Sequence, residues 1–330
     1  MLTEGVRTHH STDKPSTSIG FNDIVLAAER LKGVAFRTPL LRSPAFSQMF
    51  NMEIFLKLEN VQTTGAFKIR GAYNTIASLS DTERKRGLVT ASSGNHAQGV
   101  AYAAYAFGLD AHTTIFMPES TPQTKIDNTR RYGKVKIQLV QGTYDDASQQ
   151  AHALADERGA TYIEPYNDWR VMAGQGTIGL EIVQDLPDVD AILVPVGGGG
   201  LIGGIALAAR SVRPQVQVYG IQAHYRQASG YTIADGIRVK QVGDKPAQLI
   251  DELVTRLVQV DENIIESAVF QLAQVGHLLV EGAGAVGIAA LMSGALVFPP
   301  SFKVAIVLSG GNMDLARLPA LSPDSSKPIP

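Results

Sequence analysis

Residues 191–201 read Ala191-Ile192-Leu193-Val194-Pro195-Val196-Gly197-Gly198-Gly199-Gly200-Leu201. Six consecutive apolar residues, dense in branched side chains, predict a strand buried on both faces. Four glycines end it, and Leu201 to Arg210 then carries the apolar spacing of a helix. A buried strand that turns through glycine into a helix is the unit from which parallel α/β sheets are built.

The same alternation extends in both directions along the chain. Ile54-Phe55-Leu56, Gly87 to Thr90, Thr113 to Met117, Lys136 to Val140, Val216 to Ile221 and Val304 to Leu308 read as further strands. Helical patterns lie at Asn22 to Leu31, Ala97 to Phe107, Tyr144 to Arg158, Gln175 to Gln184 and Glu262 to Gln274. The expectation is parallel sheets covered by helices on both faces, with one domain assembled from discontinuous segments.

Composition narrows the function classes. The 330 residues are 45% hydrophobic and 18% charged, the profile of a packed globular chain. A net charge of −2 provides no broad basic field for nucleic acid or an acidic membrane. The absence of cysteine excludes disulfides, thiolate metal sites and a cysteine nucleophile. No apolar run is long enough to span a bilayer. The polar residues 1–20 read as a flexible leader in which the His9–His10 pair is solvated, and 322–330 read as a frayed tail. A soluble, cytoplasmic protein is expected.

Ligands of such folds bind beyond the carboxyl ends of strands. Gly197 through Gly200, with the helix opening at Leu201, can present backbone N–H groups and a helix dipole to a phosphate, although a tight turn also uses glycine. The run has neither the GxGxxG spacing of dinucleotide sites nor the terminal Lys-Ser/Thr of a P-loop. Ser92-Ser93-Gly94-Asn95-His96, between a strand and a helix, reads either as a carboxylate site or as a plain helix cap. Ser309-Gly310-Gly311-Asn312 places a hydroxyl at a third strand end. Lys68, between Phe67 and Ile69 in the first turn of a partly buried helix, is either a snorkelling side chain or an amine whose pKa burial lowers toward Schiff-base and proton-transfer chemistry.

In order, these elements resemble the tryptophan-synthase-β-like group of pyridoxal-phosphate enzymes (fold type II), and within it the serine/threonine dehydratase and serine racemase family. The resemblance runs from about Phe21 to Leu315. It is carried by Lys57-Leu58-Glu59-Asn60, Phe67-Lys68-Ile69-Arg70-Gly71-Ala72, Ser93-Gly94-Asn95-His96-Ala97-Gln98-Gly99, Gly174-Gln175-Gly176-Thr177, Gly197-Gly198-Gly199-Gly200-Leu201, Glu281-Gly282-Ala283-Gly284 and Ser309-Gly310-Gly311-Asn312.

It implies two domains, each with a mostly parallel sheet flanked by helices. Residues 21–86 with 163–321 would form the large one and 87–162 a small mobile one. It implies pyridoxal 5'-phosphate held covalently by Lys68, which then acts as base at the substrate Cα. Gly197, Gly198, Gly199, Gly200 and Leu201 would hold the phosphate. Asn95 would bond the ring's O3′, Phe67 would line one ring face, and Ser309 would face the pyridine nitrogen. Ser92, Ser93, Asn95 and His96 would receive the substrate carboxylate. The implied reaction converts a β-hydroxy L-amino acid, threonine or serine by default, to a 2-oxo acid and ammonia, in a homodimer or homotetramer.

The sequence departs from the family at several positions. Ala66 stands where serine is usual. Ser93 matches the residue that in serine racemases exchanges a proton opposite the lysine, so racemisation by Lys68 and Ser93 is an alternative. Dehydration of a bulkier substrate, derived from hydroxyaspartate or hydroxyectoine, is another. Where relatives carry a divalent-metal Glu and Asp, this chain has Gln222 and Ala228 with Arg226 between them, so no metal is expected there. Asp235 follows the family pattern without a metal role. The chain ends soon after Asn312, so a C-terminal amino-acid-sensing domain is not expected.

Overall fold

The computed structural model describes residues 18–224 and 232–314. The expectations for the 1–17 part of the leader, His9–His10, Arg226, Ala228 and the 322–330 tail lie outside the described residues. The chain opens with α1 (Phe21–Leu31), β1 (Leu40–Arg42), α2 (Pro44–Phe50), β2 (Glu53–Lys57), α3 (Lys68–Ala77) and α4 (Asp81–Lys85). There follow β3 (Leu88–Ala91), α5 (Asn95–Ala106), β4 (Thr113–Pro118), α6 (Gln123–Arg130), β5 (Lys136–Val140), α7 (Tyr144–Arg158) and β6 (Thr161–Tyr162). The last part comprises α8 (Trp169–Asp185), β7 (Ala191–Pro195), α9 (Gly200–Val212), β8 (Gln217–His224), α10 (Asp244–Leu253), β9 (Arg256–Asp261), α11 (Glu262–Gln274), α12 (Gly282–Met292) and β10 (Lys303–Val307).

The strands form two sheets: a six-stranded one in the order β1-β2-β10-β7-β8-β9, and a four-stranded one in the order β5-β4-β3-β6. Every pairing is parallel except β1 with β2. β10 comes last in the chain yet lies inside the large sheet, where Val304 is in register with both Ile54 and Ala191. The N-terminal segment and the last strand thus share one core. The expected fold class holds: two parallel sheets, each flanked by helices.

Helix packing explains why glycine recurs in α8 and α9. A Cβ at Gly174 would come within 2.4 Å of the Arg70 carbonyl oxygen, and one at Gly204 within 2.3 Å of that of Met172. Backbone therefore meets backbone, and α3, α8 and α9 form one block behind the glycine turn. α8 begins six residues before the sequence pattern suggests, because the Asp168 side chain accepts the Arg170 N–H and caps Trp169 onward.

A buried charge network locks this block to the large sheet. The Arg70 guanidinium donates through Nε and Nη2 to Glu59 (2.9 and 2.8 Å) and through Nη1 and Nη2 to Glu181 (2.6 and 3.0 Å). Lys57 Nζ donates to Glu181 and to the Thr38 carbonyl oxygen, both at 2.6 Å. Two cations and two carboxylates cancel in formal charge, and Arg70, Lys57 and Glu59 are almost wholly buried. Removing one member strands the others in low dielectric. Arg70→Met should lower the unfolding free energy by about 3–5 kcal/mol, read by urea denaturation. A loss below about 1 kcal/mol would show that the network is not a keystone of the fold.

Candidate active site

Lys68 is the first residue of α3 and is fixed by what precedes it. Ala66 forms an isolated antiparallel bridge with Gly310, and the Phe67 N–H donates to the Ser309 carbonyl oxygen at 3.1 Å. The start of α3 is thereby sewn to the chain leaving β10. On the other side, a Cβ at Gly99 of α5 would lie 3.0 Å from the Lys68 carbonyl carbon, so only glycine lets α5 come this near. The Lys68 amine donates to the Pro165 carbonyl oxygen at 2.7 Å and lies 5.2 Å from the centre of the Phe67 ring. Burial pushes its pKa down to about 8, against the opposing pull of the Glu281 charge.

The glycine turn leaves the C-terminal end of β7, with Gly199 in the left-handed region (φ 88°) and α9 opening at Gly200. The Tyr166 ring lies flat against this turn, so that a Cβ at Gly198 would meet it at 2.3 Å. Gly200 meets the Tyr166 backbone, and a Cβ there would come within 2.9 Å of its carbonyl oxygen. Side chains would fill the cradle that bare backbone leaves, and the first-turn N–H groups of α9 have no partner within the helix. The Leu201 side chain packs into the apolar core, so Leu201 can serve an anion only through its backbone N–H. Pro165 and Tyr166 are consecutive: one takes the lysine amine and the other covers the glycines. A desolvated amine and an anion cradle joined in this way fit pyridoxal 5'-phosphate.

Ser92 and Ser93 are half-buried between β3 and α5, and Ser92 Oγ accepts the Gly94 N–H at 3.2 Å. The structure narrows the expectation for His96 to its backbone. Its ring turns into the small sheet, where Nε2 lies 3.1 Å from both Thr90 Oγ1 and the Ile163 carbonyl oxygen. Burial, and then the Lys68 charge, push its pKa down to about 3, and Nδ1 is buried without a partner. A neutral, sealed imidazole offers a carboxylate nothing; only the His96 backbone N–H remains on the α5 N-terminus.

Asn95 is held by two neighbours. Its amide donates to Glu281 Oε1 at 2.7 Å, and its oxygen accepts from Asn312 Nδ2 at 2.9 Å. The same Asn312 group donates to the Thr64 carbonyl oxygen. These bonds join the helix after β3 to the ends of the large-sheet strands, where Ser309 is buried. Glu281, which holds Asn95 within this site, was not singled out by the sequence reading. An acid before an apolar helix reads as an ordinary cap, although its glycine-rich run is part of the family pattern. Burial first, and then the charge of Asp235, push its pKa up to about 7. Asp235 is itself paired with Lys125 of α6 at 2.6 Å. Among the described residues, no group of three or more His, Asp or Glu could hold a metal ion.

Comparison with known proteins adds independent findings. The family described as pyridoxal-phosphate dependent enzymes matches residues 31–310. The chain is 46% identical over 311 residues to a protein of Thermotoga maritima named L-threonine ammonia-lyase, covering 90% of this chain and 76% of that one. It is 40% identical to the catabolic L-threonine dehydratase TdcB of Escherichia coli, covering 94% and 97%. Among solved structures, maize serine racemase superposes with a TM-score of 0.85 at 33% identity, covering 92% of this chain and 96% of that one. Threonine deaminase isoform 2 of Solanum lycopersicum does so at 0.83 and 33%, covering 97% and 93%.

Glu281 gives a pH prediction. Its folded pKa, about 7, lies above the ordinary 4.5, so the folded chain holds this proton more tightly than the unfolded one. Ionised Glu281 is thus penalised, and stability falls as pH rises from 4.5 to 7, by roughly 3 kcal/mol in all. Glu281→Gln keeps the acceptor for Asn95 and removes that slope. Urea denaturation of parent and variant at pH 5 and pH 8 should show the variant gaining on the parent at pH 8; parallel behaviour would contradict the assignment.

Proposed function

The chain belongs to the family of pyridoxal-phosphate dependent enzymes, and on that premise we propose that it is an ammonia-lyase that converts L-threonine to 2-oxobutanoate and ammonium. The observation that carries this reading is the Pro165–Tyr166 link, which sets a desolvated lysine beside an anion cradle. Two relatives at 40–46% identity named for L-threonine ammonia-lyase or dehydratase activity support the substrate.

Bound pyridoxal 5'-phosphate supplies an electron sink that acidifies the substrate Cα–H. The N–H groups of Gly197 to Leu201 would hold its phosphate, Phe67 would line its ring, and Asn95 would bond its phenolic oxygen. Lys68, with a pKa near 8, carries enough free amine close to neutral pH to bind covalently and to take the Cα proton. Ser92, Ser93 and the N–H groups opening α5 hold the substrate carboxylate. Ser309, a hydroxyl rather than a carboxylate, would not keep the pyridine nitrogen protonated, so the bound cofactor would suit prompt loss of the β-hydroxyl better than transamination.

The division into 21–86 with 163–321 and a mobile 87–162, closing over substrate to exclude water, belongs to the same reading. The four strands of the small sheet all fall within residues 88–162. A cytoplasmic homo-oligomer goes with it, supported by the apolar side chains exposed at Phe36, Leu41 and Met49. No helix among the described residues is long and apolar enough to cross a membrane.

Lys68→Ala should abolish 2-oxobutanoate release and the visible absorbance of the bound cofactor while leaving the far-UV circular dichroism unchanged. Full activity in that variant would rule the mechanism out. Assay of D-amino acid in the same reaction separates racemisation through Ser93 from elimination.

A further inference from the structure

Between α7 and the segment 164–167 lies a cavity of about 290 Å³ that the proposed steps do not use. It adjoins the active site through Pro165, whose carbonyl holds the Lys68 amine, and Tyr166, whose ring covers Gly198. On its far rim the Gly243 N–H donates to the Gly198 carbonyl oxygen at 3.1 Å.

Apart from His152, whose ring stacks on that of Tyr162 at 3.8 Å, the titratable groups that line it are acids or phenols. The rings of Tyr144, Tyr162 and Tyr166 wall it together with half-buried Glu164, and Asp145 and Asp244 stand at the exposed rim. No lysine or arginine lines it. The nearby cations are engaged elsewhere: Lys240 pairs with Asp145, and Lys245 lies 5.9 Å from the centre of the Trp169 ring, from where it bears on Glu164 only through space. Asp168, whose charge bears on Glu164, is taken by Arg170 at 2.7 Å. Glu164 itself has no hydrogen-bond or ion-pair partner among the described residues. Burial, and then the charge of Asp168, push its pKa up from the ordinary carboxylate value. Its negative form therefore has no counter-charge in contact with it, only the attraction of Lys245 through space.

Ring faces attract cations, and a partly desolvated carboxylate does so more strongly than an exposed one. An anion would meet like charge here, and an apolar group would leave the hydroxyls and the carboxylate unsatisfied. We propose that this cavity receives a cationic group at the far end of the substrate side chain, so that the preferred β-hydroxy amino acid carries a second, positively charged nitrogen beyond Cβ. The proposal rests on the ammonia-lyase reading and, within it, makes L-threonine a lesser substrate than a β-hydroxy amino acid of this class.

The test compares two isosteric substrates of the cofactor-loaded enzyme, 2,4-diamino-3-hydroxybutyrate and 2-amino-3-hydroxypentanoate, with L-threonine alongside. The expected kcat/KM for 2-oxo acid release is at least tenfold higher for the diamino compound, and Glu164→Gln should cut that ratio about tenfold. Equal use of the two, or a ratio that Glu164→Gln leaves untouched, overturns the proposal. Should the variant fold poorly, calorimetry on the unmodified enzyme decides: L-2,4-diaminobutyrate should bind at least tenfold tighter than L-2-aminopentanoate, and equal binding overturns it. The two readings fail separately. A cation preference in calorimetry without 2-oxo acid from any substrate sinks the ammonia-lyase reading alone, whereas normal turnover of L-threonine without that preference sinks the cavity proposal alone.

Discussion

The arrangement of four charges around Arg70 is the constraint on which the rest of the molecule turns. Arg70 is two residues beyond Lys68 on the same helix, so whatever fixes the guanidinium also fixes the amine. Glu59 follows β2 of the large sheet, and Glu181 belongs to the helix that packs against both α3 and α9. The network therefore triangulates the lysine against the sheet on one side and the glycine-turn helix on the other. A buried ion cluster is a poor source of net stability, because hydration lost by four ions offsets most of the attraction gained. Its value is geometric: guanidinium forks accept few alternative settings. Closely packed glycines in α8 and α9 reinforce this by letting backbones touch where side chains would act as cushions.

Local chemistry explains which parts of this plan were legible in the sequence. Strands β4, β7 and β10 are nearly continuous apolar or branched runs, β5 alternates polar with apolar residues, and all four were read to within a residue. β1 and β6 have three and two residues, too few for any periodicity, and exist because neighbouring strands offer them partners. β9 is an edge strand whose exposed residues dilute its apolar signal. α12 is buried on every side, so its sequence has no polar face to announce a helix. Among the candidate site residues, Lys68, Asn95, the four glycines and Ser309 could be named because they belong to ordered motifs. The inward rotation of His96 and the role of Glu281 could not, since both depend on what tertiary packing sets beside them.

Desolvation acts on three titratable groups in one small volume, with different results. It makes the Lys68 amine easier to deprotonate, holds the His96 ring neutral and keeps a proton on Glu281 to near-neutral pH. Each shift lowers the charge that the site must bury before any ligand arrives. The same economy explains why a carbonyl oxygen, rather than a carboxylate, holds the lysine: a full ion pair would keep the amine protonated.

Residues 164–167 form a strip whose successive members face different neighbours: a polar chamber, the lysine amine, the glycine cradle and the loop that opens α10. Such crowding of duties into adjacent positions restricts how the gene can drift. A change that reshapes the chamber also tilts the carbonyl and the ring beside it, so single replacements there should carry mixed effects. New selectivity in descendants of this chain would then arise in paired steps, the second restoring the alignment that the first disturbed.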